Sequence, residues 1–299
     1  MWKPVVVEPR SPKSTIKIRN PILLRREQLM SQSELPSYGA PPDPGYVSTE
    51  QVEESARLGP VQRFMGIIFS PGETFADINR KPTWLVPLII SIVVAGAFGF
   101  AFESIVKPDW NEIVRVQARK AAERFGGQAP SDSDLQAQVA ITKTINKFAF
   151  IVGPIIGTFF VAGIFALGLM IMSAKTTFKK ILSVISWSGA VTGVIWTVVV
   201  IASFMLRDEE GLREVNPSDP KSWSATNIGA LLPADTSPAI KALAGSFDVI
   251  TIWYLILLTM GFAAIAGAKK FTSGKTATLV FGLWAVWVLI AMGLGSMFG

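Results

Sequence analysis

FSPGETFADINRKPTWLVPLIISIVVAGAFG, residues 69–99, places a short helix, two cations, a Trp and a long apolar run in that order. That is the order of a chain that lies on a membrane surface and then enters it. Ser70, Pro71 and Glu73 read as the cap, first position and reciprocal acid of a capping box. Phe75 and Ile78 fall on one side of the helix, which leaves Asp77 and Asn79 for water. Arg80 and Lys81 reach lipid phosphates, and Trp84 suits the headgroup layer. No charge then occurs until Glu103, and about 20 apolar residues suffice to cross the hydrocarbon core.

Four more long apolar runs follow, which makes this an all-α membrane protein. The expected spans are 84–106, 148–172, 181–206, 247–268 and 276–298, a five-transmembrane-helix bundle. An interfacial N-terminal segment, 61–83, precedes it. There VQRFMGIIF (61–69) is too short to span and lies in the headgroup plane with Arg63 turned outward. Residues 1–60 are rich in Pro, Ser and charge without a sustained period, and read as an extended or disordered cytoplasmic arm. Its Val5–Val7 run is too short for a signal-peptide core. Arg25 and Arg26, beside Ile22–Leu24, offer a contact for a partner or anionic lipid.

Composition agrees. Half of the 299 residues are hydrophobic, mean hydropathy is +0.42, and 17% are charged, against roughly 25% in soluble domains. There is no Cys and no His, which excludes disulfides, thiolate chemistry and the commonest general base and metal ligand. The net charge of +6 reflects basic loops on one side of a membrane, with no nucleic acid implied.

Loop charges set the orientation. The first 83 residues hold eleven Lys and Arg; KTTFKK (175–180) and the 269–275 turn are basic without acid. The 207–246 loop carries four basic and six acidic residues. Positive-inside counting puts the N-terminus and both basic turns in the cytoplasm, and the 107–147 and 207–246 loops and C-terminus outside. Lys179, Lys180, Lys269 and Lys270 join Arg80, Lys81 and Trp84 as candidate partner or lipid contacts. The 107–147 loop is expected to be a helical hairpin, broken at Gly126-Gly127 and recapped by Ser131 or Ser133. Trp223 is expected to anchor the 207–246 loop on the membrane surface.

Small residues mark helix-packing faces, because lipid supplies no hydrophobic drive for pairing. Ser91, Ala95 and Gly99 step by four along the first span, Gly153 and Gly157 along the second, and Gly189 and Gly193 along the third. No catalytic, cofactor or metal site emerges. Glu103 and Asp248 lie near span ends, where interface roles are expected. Ser186, Thr192, Thr197 and Thr259 are isolated hydroxyls, readily satisfied by their own helix carbonyls. The Gly274-Lys275-Thr276 triplet fails as a phosphate loop, since Lys269 stands where its first Gly is required and no strand precedes it.

Two stretches resemble the Yip family, the Ypt/Rab-interacting protein superfamily, in its bacterial-type branch. One is FSPGETFADINRKPTW running into the first span. The other is SFDVITIWYLILLTMGFAAIAGAKK (246–270), with its aromatic-Asp start, Trp and Gly-Phe-Ala pattern before a basic turn. The resemblance covers about residues 61–299. It implies five spans with a cytoplasmic N-terminus, and membrane adaptors rather than enzymes. It supplies no catalytic residues to carry over.

The expectation is therefore a non-enzymatic integral membrane adaptor or accessory subunit of a bacterial inner-membrane complex. Its partners would be membrane lipids and another membrane subunit or a second copy. The alternative is a transporter or permease component for a neutral or lipidic substrate. A membrane enzyme acting through Glu103, Asp248 and the Asp208–Glu210 run comes third.

Overall fold

The computed structural model describes residues 58–126, 130–213, 215–217, 220–233, 235–267 and 272–298. The arm up to residue 57, with Arg25 and Arg26, lies outside the described residues, as do Lys269 and Lys270. Ten α-helices are described: α1 Pro60–Phe69, α2 Pro71–Arg80, α3 Leu85–Ile105, α4 Trp110–Phe125, α5 Asp132–Ile171, α6 Phe178–Met205, α7 Glu209–Arg213, α8 Pro238–Ala244, α9 Val249–Ile265 and α10 Ser273–Phe298. Two short 3₁₀ turns, Pro220–Trp223 and Ile228–Leu231, lie between α7 and α8.

Four of these helices, α3, α5, α6 and α10, are long and apolar enough to cross a membrane. The fifth expected span, α9, has 17 residues. At 1.5 Å per residue it rises about 26 Å, short of a hydrocarbon core of about 30 Å. Asp248 caps its start, and Gly267 (φ +84°) turns the chain away after its end.

The expected outer hairpin is present but joined differently. The Asp109 carboxylate caps α4 by accepting from the amides of Asn111 and Glu112, and Gly126 ends it in the left-handed region (φ +70°). Ser131 and Asp134 form the capping box of α5. That helix does not break before the second span; it runs for 40 residues with Pro154 inside it. Trp110 and Val114 of α4 pack on Val139 in its first half.

The central helix is α6. Half of its apolar stretch is buried, against 22% for α3 and 11% for α5 and α10. It packs against α3, α5 and α9, and α9 in turn carries α2 and α10. Two apolar cores result. One surrounds Trp187 at the α1–α2 end, with Ile67, Phe75, Ile78, Phe262 and Val280. The other lies at the opposite end, around Phe98, Phe102, Phe204 and Trp223.

Trp223 therefore plugs the bundle end instead of lying on the membrane surface. It is 3% exposed, stacks on Phe102 at 4.7 Å, and donates from Nε1 to the Asn216 carbonyl at 2.8 Å. Its loop is pinned by Asn227, which donates to the Gly245 carbonyl (3.0 Å) and accepts from the Gly229 amide (2.8 Å).

Candidate functional site

At one end of the bundle α1 and α2 form a surface layer. Pro60 opens α1, and the Gln62 side chain reaches back to accept from the Gly59 amide at 2.8 Å. Ser70 joins the two helices, but its side chain caps neither of them. The S-P-G-E capping box is thus not formed; the Thr74 hydroxyl and amide turn instead to the Ser70 carbonyl, at 3.0 and 3.2 Å. Ser70 is held at φ −145°, ψ 61° by the close return of α2 onto α1, where a side chain at Gly66 would collide with Thr74.

That return brings Arg63 to Asp77, and both expectations for these residues are overturned. Neither side chain turns to water: each is 3% exposed, with Nη2 and Nε of Arg63 donating to Asp77 Oδ2 at 2.8 and 2.9 Å. Nη1 donates to Thr83 Oγ1 (2.6 Å) and Nη2 to the Lys81 carbonyl (3.1 Å). Trp187 of α6 donates from Nε1 to the same Thr83 hydroxyl at 3.3 Å. One guanidinium thus fastens α1, α2, the turn into α3 and the central helix. Buried charges need such complete pairing, because leaving one unpaired costs several kcal/mol. The available sequence signal was an Arg and an Asp set among apolar neighbours fourteen residues apart.

Around this clasp Arg80, Lys81 and Lys179 are exposed and Lys180 is half-buried. Lys179 and Lys180 stand in the first turn of α6, not in a loop. Trp84 packs edge-on against Phe159 of α5 at 5.7 Å, which takes it partly into the bundle.

The small-residue faces take two different positions. Gly99 lies directly beneath the Phe150 ring, where a Cβ would come within 2.6 Å. Gly153, Gly157, Gly189 and Gly193 have nothing within 4 Å of a Cβ position. Ser91 and Ala95, with Gly157, Gly189 and Gly193, line a cavity of about 500 Å³ between α3, α5 and α6, and Trp196 and Trp223 also form part of its wall. A close-packed face and a cavity wall look alike in sequence, since both use Gly and Ala.

The carboxylates considered for chemistry have structural partners. Asp248 accepts from the amides of Ile250 (2.8 Å) and Thr251 (3.3 Å) and from the Thr226 hydroxyl (2.8 Å). Glu103 accepts from Trp110 Nε1 at 3.5 Å, and Asp208 from the Gly211 amide at 2.9 Å. Thr192 and Thr259 bond their own helix carbonyls as expected, at 2.9 Å each, but the buried Ser186 hydroxyl has no partner among the described residues. Among the described residues no three acidic side chains gather as a metal site.

A Yip1-domain family model matches residues 65–295, from α1 through nearly all of α10. The chain belongs to the Yip family. The Yip domain here is also similar to a protein called membrane protein YknW from Bacillus subtilis (strain 168). The two are 25% identical over 236 residues, covering 78% of this chain and 91% of that one. No solved structure matches. Family membership and the run of long apolar helices make this a multi-pass membrane protein.

Proposed function

We propose that this Yip domain is a non-enzymatic membrane adaptor or accessory subunit whose α1–α2 layer is its partner-facing platform. The observation that carries this reading is the Arg63–Asp77–Thr83–Trp187 clasp. It fixes two surface helices rigidly to the central span and leaves Arg80, Lys81 and Lys179 exposed at that end. A preorganised basic surface favours docking, because little ordering remains to be done on binding. Arg25, Arg26, Lys180, Lys269 and Lys270 would extend the contact, as would the arm 1–60.

In this reading α9 is the fifth span, flanked by thinner local bilayer, which short spans tolerate at modest cost. The platform then faces the cytoplasm and the C-terminus the outside of a bacterial inner membrane, as the basic turns require. The small residues on α3, α5 and α6 would hold the bundle together where they meet neighbours, as Gly99 does with Phe150.

Purification from native membranes in mild detergent, followed by cross-linking mass spectrometry, tests the reading. A stoichiometric membrane-protein partner cross-linked at Lys81 or Lys179 is expected. A solitary protein, or a partner cross-linked only at the opposite end, contradicts it.

A further inference from the structure

We propose that the cavity between α3, α5 and α6 holds one acyl chain of an anionic phospholipid, with the phosphate on Lys143 and Lys147. The site is at the end of the bundle remote from the α1–α2 platform and does not depend on the adaptor reading.

Shape selects the occupant. The cavity volume is about 500 Å³, and its lining on α6 runs from Ile185 to Thr197. Those twelve rises of 1.5 Å make about 18 Å, so the cavity is a tube elongated along the span, the shape of a single hydrocarbon chain. The volume also lies within the roughly 300–1,000 Å³ of small-ligand sites.

The wall is mostly apolar, and two of its polar side chains are bonded within their own helices. Ser91 donates to the Pro87 carbonyl of its own helix at 3.0 Å, and Asn146 to the Thr142 carbonyl at 3.1 Å. Ala149 and Gly157 line the cavity and are exposed, so it opens along α5. Within a bilayer the medium beside that opening is lipid.

Charge selects the headgroup. Asn146 lines the cavity where α5 passes from its polar first half to the apolar run starting at Phe148. Lys143 and Lys147 are exposed there, one helical turn apart on the same side of α5. From Leu135 to Ile171 the helix has these two cations and no acid. Two cations at headgroup depth beside a chain-sized tube match a phospholipid phosphate and favour an anionic headgroup.

Native mass spectrometry of the full chain, titrated with phosphatidylglycerol or phosphatidylcholine in detergent, reads both parts of the site. The wild type is expected to retain phosphatidylglycerol preferentially. K143Q/K147Q should weaken that preference roughly fivefold for each lysine lost. G193L fills the tube from a position with nothing within 4 Å, and should lower retention of both lipids. G157L, on the opposite wall, is the second variant should G193L fail to fold. Equal retention of the two lipids by the wild type overturns the proposal, as does unchanged retention in the filled variants. Efficient disulfide formation between two copies of G193C would place a second chain there and also overturns it.

Discussion

Arg63 and Asp77, fourteen residues apart on two surface helices, meet at 2.8 Å with both side chains 3% exposed. Around them α1, α2 and the turn into α3 become one layer, bound to the central helix through Thr83 and Trp187. A buried pair of this kind is costly to break and cheap to replace whole. Removing one charge strands the other in a site with little water. Apolar substitution of both partners removes two desolvation penalties along with the attraction. R63M or D77L should each destabilise the domain by about 3–5 kcal/mol. The double variant R63M/D77L should lose much less than the sum of the two. Thermal unfolding in detergent checks this, and additive losses would show that the two side chains act separately.

The glycines divide by their surroundings. Gly261 of α9 faces Val184 and the Phe75 ring so closely that a Cβ must displace them, whereas Gly189 of α6 has open space. G261A should therefore cost about 1–3 kcal/mol by overpacking. G189A should be neutral or stabilising by up to about 1 kcal/mol, the helix-propensity gain of Ala over Gly. Thermal shifts of the two variants, measured side by side, should have opposite signs or at least very different sizes.

Trp223 has two separable roles. W223F keeps the aromatic contact with Phe102, and loses the 2.8 Å bond to the Asn216 carbonyl, for a cost of about 1 kcal/mol. W223A empties the cluster formed with Phe98, Phe204 and Trp196 and should cost about 3–5 kcal/mol. Limited proteolysis of the 207–246 loop reads the difference, since only W223A should free it for cleavage.

Much of this architecture could be read from residue patterns, because length and hydropathy are local properties. The run from Leu85, the left-handed stop at Gly126 and the Ser131 cap all depend on neighbours a few residues away. Pairing across elements is different. Arg63 and Asp77 each look like the polar side of an interfacial helix until α2 folds back on α1, a geometry set by Gly66 and Thr74. Trp223 likewise resembles an interfacial anchor until the loop carries it into the bundle end. The union of the second outer helix with the second span in α5 is hidden in the sequence, because Lys143 and Lys147 interrupt hydropathy without interrupting the helix.

In the proposed topology the α1–α2 platform faces the cytoplasm and the Trp223 end faces outward. The chain has no Cys, so single introduced cysteines report position without background. Lys81, Lys179 and Gly274 mark the platform end; Gly126 and Asp208 mark the other, and all five are exposed. With a membrane-impermeant maleimide applied to spheroplasts, K81C, K179C and G274C should label only after lysis, and G126C and D208C before it. Labelling of K81C or K179C on intact spheroplasts would put the clasped helices outside and contradict the cytoplasmic platform.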